Sequence, residues 1–433
     1  MNSNSIYYIW LSCAIDGSYE VYRELVSSIG SVYDIYRADS ETYERLSYRV
    51  RRKIASLSDK RIENAVRISD YCRSRSISII TYEDAKYPSL LRDIEKPPIL
   101  LYLRGKMPAF EQDLHVAVVG TRKMTDYGKC TAYNMGYSLA RNGAVVVSGM
   151  ALGNDSVAMC AALDAGGCCI GVLGCGVDIA YPPEHSGFLE NILAHGGALI
   201  SEYPPGTVPK PDYFVERNRI ISGLSRATLV IEGDQKSGAM HTARFTSKYG
   251  RKLFAIPGKL GDKSSEGTLS LLSEGATLTL DANDILKEYV FLYRGRIDLM
   301  TYPDHDSGEI DSRLYARGVK TAKRPERKPK AAEPTEPVRS EVKKRIGIRD
   351  VIAGAIGRDN SKKESADDAR KKRVEALPSE VREIYEKLPK NEIFYVDDVV
   401  KYGVTAQRFL YASTLLEING LITVYPGARY CLK

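Results

Sequence analysis

A glycine-threonine-arginine turn is the segment of this sequence best suited to bind a ligand. Gly120, Thr121 and Arg122 follow the apolar run His115–Val119 and precede a helical pattern that begins near Tyr127. A strand that ends in glycine and opens onto a helix directs backbone N–H groups and the positive end of a helix dipole at one point. Arg122 adds a planar guanidinium, whose donors match a phosphate. The turn therefore predicts a phosphate site.

Small or polar residues also follow other apolar runs. In open α/β sheets, ligands bind beyond the carboxyl ends of the strands. These residues together therefore predict a groove that is lined by phosphate-binding groups. Taken singly, each glycine could instead serve only to make a tight turn. The sequence has no GxGxxG and no GxxxxGK[ST] motif, which argues against an NAD site and against ATP hydrolysis. The further residues predicted to contact phosphate are Ser148, Gly149, Gly174, Gly176, Ser237 and Gly238.

A second basic segment contains Arg217, Asn218 and Arg219. In a helix, residues two positions apart point about 200° away from each other, so the two arginines cannot face one ligand. One is expected to bind phosphate while the other pairs with a carboxylate such as Glu202 or Glu232; alternatively, both form structural ion pairs. The preceding loop contributes Lys210, and Tyr213 or Phe214 is a candidate for stacking on a base.

The sequence contains no recognisable set of catalytic residues. The candidate acids near strand ends are Asp155, Asp178, Glu202 and Glu232, and no Ser/His/Asp or Cys/His order accompanies them. The five histidines and eight cysteines show no metal-ligand spacing, so we expect neither a metal nor a cofactor. Scattered cysteines without a CxxC indicate reduced thiols in a cytoplasmic protein.

The elements that would position these residues alternate between residues 101 and 292. Short runs rich in Val and Ile are separated by segments of helical length, a pattern that predicts a parallel sheet covered on both faces. The expected fold is α/β, a Rossmann-like doubly wound sheet. The predicted strands are His115–Val119, Ala144–Ser148, Cys168–Leu173, Ala198–Ser201, Ala227–Ile231 and Lys252–Ile256.

Three further regions flank this domain. Residues 1–100 predict short helices, with Ser18, Ser40 and Asp59 as caps and with a helix-hairpin-helix contact to DNA as one possibility. Residues 293–376 predict a basic flexible linker, interrupted by an apolar patch at 346–356. Residues 377–433 predict a winged helix, with helices at 378–388, 396–401 and 405–418 and a final hairpin. No apolar stretch is long enough to cross a membrane.

The positive charge of the chain is concentrated in one segment. The net charge is +7, but residues 313–376 contain 20 Lys and Arg against 10 Asp and Glu, which leaves −3 for the remainder. The isoelectric point of the whole chain is therefore weak support for nucleic-acid binding, and any binding surface in the folded parts must be a local patch.

An ordered series of motifs resembles the DNA-processing protein A family (DprA, also called Smf). The resemblance spans roughly residues 113–290, whereas the flanking regions match the family's architecture more loosely. The segments that carry it are Val119–Arg122, Val147–Asp155, Val172–Asp178 with Tyr181 and Pro182, Ile200–Gly206, Arg217–Ser225, Ser237–Ala243 and Phe254–Gly258.

The resemblance implies a bacterial cytoplasmic protein without enzymatic turnover. Members of the family bind single-stranded DNA, protect it and help to load the RecA recombinase during natural transformation, and they dimerise through the Rossmann-like domain. The family's Gly-Ser-Arg motif falls on Gly120, Thr121 and Arg122, and its Arg-Asn-Arg motif falls on Arg217, Asn218 and Arg219. Threonine in place of serine keeps the hydroxyl.

This sequence departs from the family pattern at three places. Met159 stands where the family has histidine, the asparagine after Tyr-Pro is replaced near Glu184 and His185, and Ser237–His241 alters a normally apolar position. Two other readings remain open. One is a nucleotide N-glycosidase of the phosphoribohydrolase type, although no Pro-Gly-Gly-x-Gly-Thr run lies near Glu232. The other is a scaffold that binds proteins through the winged helix and the 346–356 patch.

Overall fold

The structure is a computed structural model that describes residues 4–319, 374–375, 377–390, 392–405, 408–409, 412–413, 416, 419, 421–425 and 429–432. The chain divides into two compact units, Met1–Lys330 and Ala331–Lys433, and each is presented by itself. Within the described ranges, no helix is both long enough and apolar enough to span a bilayer.

The centre of the first unit is a nine-stranded sheet. Its spatial order is β1-β2-β6-β5-β4-β3-β7-β8-β9. Strand β2 is antiparallel to both of its neighbours, and every other adjacent pair is parallel. The strands are β1 (Ile77–Thr81), β2 (Leu100–Gly105), β3 (His115–Val119), β4 (Val145–Ser148), β5 (Cys169–Val172), β6 (Ala198–Ser201), β7 (Ala227–Val230), β8 (Lys252–Ala255) and β9 (Thr277–Leu278).

Helices cover both faces of this sheet. The helices of the first unit are α1 (Asn4–Ala14), α2 (Tyr19–Ile29), α3 (Val32–Arg37), α4 (Ser40–Glu44), α5 (Tyr48–Arg51), α6 (Ile54–Ser58), α7 (Glu63–Ser74), α8 (Ser89–Arg92), α9 (Asp126–Arg141), α10 (Asn154–Asp164), α11 (Ser186–Ala194), α12 (Pro211–Gly223), α13 (Ala239–Lys248), α14 (Glu266–Ser273), α15 (Asn283–Leu286) and α16 (Ser307–Ala316), with a 3-10 turn at Pro183–His185.

Strand β3 shows why the sheet is buried on both sides. Val116 and Val118 belong to the core beneath α9, α10 and α11, whereas Ala117 and Val119 point to the opposite core beneath α12 and α13. A continuous apolar run is what such a strand requires, because successive side chains alternate between two covered faces. The predicted α/β, Rossmann-like doubly wound sheet is confirmed.

The N-terminal helices surround a core of their own, in which the rings of Tyr8, Tyr43 and Tyr102 are fully buried. As predicted, α2 spans Tyr19–Ile29, and the Ser18 hydroxyl accepts the Val21 N–H at 3.5 Å. The other two predicted caps are wrong. Asp39 caps α4 in place of Ser40. Helix α7 begins at Glu63, four residues beyond Asp59, and the Asp59 carboxylate accepts from Arg61.

Part of the predicted linker is folded. Residues 293–319 pack against the sheet, and Ile297, Ile310 and Leu314 are at most 4% exposed in the same core as β3. Arg317 donates to Asp164 at 2.8 Å and so fastens the end of α16 to α10. The apolar residues of α16 are four positions apart, a helical spacing that the composition of the whole segment concealed. Residues 320–373 and 376, including the 346–356 patch, lie outside the described residues.

The second unit is small. Helix α17 (Ser379–Lys387) is followed by β10 (Ile393–Tyr395), a 3-10 segment (Val396–Tyr402), β11 (Ile422–Tyr425) and β12 (Arg429–Leu432). Strand β12 pairs antiparallel with both β10 and β11, so the predicted final hairpin is present together with one strand that was not predicted. Most of the helix predicted at 405–418 lies outside the described residues.

Candidate nucleic-acid interface

The sheet reverses its winding direction at β3. The chain runs from β3 through β4 and β5 to β6 on one side, and then returns to place β7 on the other side, with Val119 opposite Val230. Helices that follow β3 and β7 therefore diverge and leave a crevice beyond the strand ends, which is the usual ligand position in open α/β sheets. A groove of about 630 Å³ occupies that crevice.

Eight of the thirteen predicted contact residues line this groove. The turn after β3, helix α12 with the residue before it, and the loop after β7 bring them together from distant parts of the chain. They are Gly120, Thr121, Arg122, Lys210, Arg217, Asn218, Ser237 and Gly238. Gly149 and Gly174 line an adjoining cavity of about 220 Å³, which shares Arg122 and Arg217 with the groove. The residues scattered through the sequence are thus neighbours in space.

Four exposed cations make the groove basic. They are Arg122, Lys123, Lys210 and Lys236, and among the described residues none of the four forms a salt bridge. The carboxylates at the groove are Asp155, which is buried, and Asp234, which accepts the Lys236 backbone N–H at 2.9 Å. Such cations beside an open cleft attract an anion, because no salt bridge within the described part of the chain neutralises them.

The backbone donors expected at two strand ends are already occupied. The Asp155 carboxylate accepts the Gly120 N–H at 3.2 Å and the Gly149 N–H at 3.1 Å. Burial raises the pKa of Asp155, while the Arg217 guanidinium and the two N–H groups oppose that rise. The prediction that these two N–H groups face a ligand is wrong, since Asp155 at the start of α10 satisfies them. These two backbone donors are therefore not available to a phosphate in the groove.

Arg217 is buried beside the groove and links the ends of β4 and β5. It is 4% exposed, and its Nη1 donates to the carbonyls of Gly149, at 2.7 Å, and Val172. Burial lowers the pKa of Arg217 to about 10, so it remains a cation at neutral pH, near Asp155. Asn218 ties α12 to the start of α13, since its Nδ2 donates to the Gly238 carbonyl at 3.3 Å. Both residues support the groove wall.

Arg219 points to a different cavity, as the helical spacing required. It forms a buried salt bridge with Glu202, one of the two carboxylates suggested from the sequence. That cavity lies on the far side of α12 and is lined by Asp16, Glu20 and Glu216, among others. Arg219 therefore lines that cavity and not the groove.

Two further predicted contact residues are also placed elsewhere. The Ser148 side chain is fully buried, and its hydroxyl donates to the Val118 carbonyl at 2.6 Å. The Gly176 N–H donates to the Thr207 carbonyl at 2.9 Å, and Gly176 lines neither the groove nor the adjoining cavity. Both residues hold strand-end loops together.

The candidate acids have structural partners. Besides Asp155 and Glu202, Asp178 accepts the Gly206 N–H at 2.9 Å, and Glu232 accepts the Thr125 N–H at 3.0 Å and its hydroxyl at 2.5 Å. Burial raises the pKa of Glu232, which is 2% exposed and does not line the groove. Within the described ranges, no group of three or more His, Cys, Asp and Glu side chains is arranged to hold a metal.

One of the two predicted aromatic platforms lies in the groove. Phe214 lines it and packs near Tyr181, with ring centroids 5.0 Å apart. Tyr213 instead stacks on Tyr203 at 4.1 Å, on the side of the Arg219 cavity. Lys210 lies over the Tyr213 ring at 5.2 Å and connects the two sides.

Sequence reasoning missed Lys123, Lys236 and His241, which also line the groove. Lys123 directly follows the Gly-Thr-Arg turn and was within reach of the same argument. Lys236 and His241 flank the Ser237–Gly238 turn after β7. Their role depends on β7 lying beside β3, and strand order is not encoded in any local pattern.

Comparison with known proteins identifies the family. Residues 78–290 match the model of the family described as DNA recombination-mediator protein A. The chain is 37% identical to DNA processing protein DprA of Bacillus subtilis over 216 residues, which cover 50% of this chain and 72% of that protein. It is 38% identical to Protein Smf of Synechocystis over 217 residues, 49% of this chain and 54% of that protein.

A solved structure agrees with this assignment. The X-ray structure of DNA processing protein A from Streptococcus pneumoniae superimposes with a TM-score of 0.54 at 29% identity, covering 65% of this chain and 97% of that one. The chain matches little more than half the length of the Synechocystis relative, so the similarity concerns mainly the sheet domain. On the family match, the sequence identity and the shared fold, the chain belongs to the DNA recombination-mediator protein A (DprA/Smf) family.

Proposed function

We propose that the groove beyond β3 and β7 binds single-stranded DNA, and that the protein protects the strand and helps to load the RecA recombinase during natural transformation or recombination. The observation that carries the proposal is the set of four unpaired cations around an open crevice. Phosphates of a bound strand would neutralise Arg122, Lys123, Lys210 and Lys236, with Thr121 and Ser237 as hydroxyl donors.

The groove suits a single strand better than a duplex. Phe214 offers a ring beside the cations, and an unpaired base has an open face to stack on it. In a duplex the bases are already stacked on one another, so such a ring would gain no contact. With side-chain cations on phosphates and one platform for any base, we expect little sequence preference.

The remaining assignments extend this proposal. We infer a helical domain at 1–100, the Rossmann-like domain at 101–292 and a winged-helix domain at 377–433. We also infer a homodimer formed through the Rossmann-like domain, located in the cytoplasm where DNA and recombinase meet. Residues 293–319 would belong with the Rossmann-like domain, because they share its core. The basic linker would then begin after residue 319.

The test is fluorescence anisotropy with labelled oligonucleotides, single- and double-stranded, across a salt series. Arg122→Ala should weaken binding of the single strand about tenfold, since it removes a charge-assisted phosphate contact. Arg141→Ala is the matched control, because Arg141 is exposed at the opposite end of α9. Binding that ignores Arg122 but disappears on deletion of residues 320–373 would place the DNA on the linker and refute the proposed groove.

An assay for release of a free base from a nucleoside monophosphate addresses the enzyme alternative. The N-glycosidase reading needs the Glu232 region to contact a ribose phosphate, and both Glu232 oxygens are instead engaged by Thr125. We therefore expect no base release by the wild type. Turnover that is lost in Glu232→Gln but retained in a matched Glu274→Gln control would favour the enzyme.

A further inference from the structure

An arginine-rich surface lies on the N-terminal helices, apart from the groove. Residues 45–53 contain five cations and no carboxylate. Two of the five are paired, Arg45 with Glu41 and Lys53 with Asp16. The other three, Arg49, Arg51 and Arg52, are exposed and form no salt bridge with any residue that the structure describes.

The surface is held rigidly from beneath. The Glu24 carboxylate of α2 accepts the Ser47 N–H at 2.8 Å and the Ser47 hydroxyl at 2.6 Å, which fixes the start of α5. Val50 is completely buried in the N-terminal core and anchors the middle of the helix. Because one buried residue is flanked by exposed ones, the arginines are presented outward from a fixed backbone.

An aromatic ring accompanies these cations. Tyr48 is 68% exposed, whereas most described tyrosines of the N-terminal core are buried or half-buried. In a helical turn, side chains three or four positions apart share one face, so Tyr48 lies beside Arg51 and Arg52. An exposed ring amid guanidinium groups combines a stacking platform with phosphate donors, the two features that bind single strands.

The geometry points to a second contact for single-stranded nucleic acid, formed by Tyr48, Arg49, Arg51 and Arg52 (the arginine patch). We infer that it binds phosphates without sequence preference and stacks one base on Tyr48. An anionic membrane fits less well, because α5 has no exposed aliphatic face to insert beside these charges. The inference extends the proposed function without depending on the groove, since no described residue before Val119 lines the groove.

The experiment compares two double variants of the full chain on a long labelled single strand. Arg49→Ala with Arg52→Ala should weaken binding three- to tenfold and reduce the salt slope by about 1.4, which is about 0.7 for each lost phosphate contact. The matched control is Arg67→Ala with Lys86→Ala, which removes two exposed cations outside the arginine patch, one on α7 and one in the turn between β1 and α8. Equal losses of affinity in the two double variants would show that binding depends only on net charge, and this result would overturn the inference.

Two further arms separate this site from the groove and from other partners. Measured in an Arg122→Ala background, the Arg49/Arg52 pair should still lose affinity; if only Arg122 matters, the patch is refuted while the groove stands. Loss on the patch variant with none on Arg122→Ala would refute the groove and keep the patch. Tyr48→Phe should bind as wild type and Tyr48→Ala more weakly. Patch-dependent binding to anionic vesicles, with unchanged binding to DNA, would overturn the inference.

Discussion

At the scale of single residues, the groove is built around a buried carboxylate. Asp155 accepts the N–H groups of Gly120 and Gly149, which directly follow β3 and β4. The Arg217 guanidinium lies near this carboxylate and donates to the carbonyls of Gly149 and Val172. These contacts fix the turn that carries Arg122. The N–H groups of Gly120 and Gly149 therefore hold the strand ends in place and are not free to donate to a phosphate.

The backbone at Gly128 is packed directly against the Glu232 side chain. A Cβ atom at Gly128 would lie 1.8 Å from Glu232 Oε2, and Glu232 cannot move without losing its bonds to Thr125. We expect Gly128→Ala to lower the free energy of unfolding by about 1–3 kcal/mol, as overpacking does. Gly187→Ala is the control, because nothing lies within 4 Å of its Cβ position. Urea denaturation measures both, and equal effects would contradict this packing.

His115 gives the folded unit a pH dependence. It is 1% exposed at the start of β3, its Nδ1–H donates to the Asp113 carbonyl at 2.8 Å, and burial lowers its pKa below the ordinary 6.5. The unfolded chain therefore binds a proton more readily than the native one. The contribution of His115 to the free energy of unfolding is complete above pH 6.5. It decreases as the pH falls, by at most about 1.4 kcal/mol per pH unit.

His115→Asn removes this titration while keeping a donor near the Nδ1 position. The variant should lose less stability than the wild type between pH 7 and pH 5 when unfolding is followed in urea at each pH. An identical pH slope in the two proteins would show that His115 is not protonated on unfolding.

At the scale of elements, α16 is an unexpected part of the sheet domain. Leu314 is 3% exposed against α9 and α10, so Leu314→Ala should cost about 2–5 kcal/mol of unfolding free energy. Leu260→Ala makes the same chemical change at a side chain that is 83% exposed and should change stability by less than about 0.5 kcal/mol. If both variants unfold at the wild-type urea concentration, α16 does not stabilise the domain.

Local sequence patterns predicted the strand positions well, but they predicted only some of the residues that line the groove. The apolar runs at β3 and β6 gave the strand bounds, because a strand buried on both faces must be continuously apolar. The order of strands depends on contacts between distant residues, so Lys236 could not be assigned to the groove. The partners of Ser148 and Asp155 likewise come from other strands and helices, which local sequence does not reveal.

At the scale of the whole molecule, the basic surfaces are local features of a sheet domain and its N-terminal helices. The groove lies at the switch point of the sheet, and the arginine patch lies on α5. A fragment that ends after residue 319 keeps both surfaces and every described core residue of the first unit. We expect this fragment to bind single-stranded DNA with affinity close to that of the full chain, as measured by anisotropy, whereas a fragment that ends at residue 300 should be less stable.

The most direct test of the groove is the salt dependence of single-strand binding by individual cation variants. Arg122→Ala, Lys123→Ala, Lys210→Ala and Lys236→Ala should each reduce the slope of log K against log salt by about 0.7, the value for one phosphate contact on a single strand. Arg141→Ala should leave the slope unchanged. Unaltered slopes in all four groove variants would contradict the account, because the strand would then lie elsewhere on the protein.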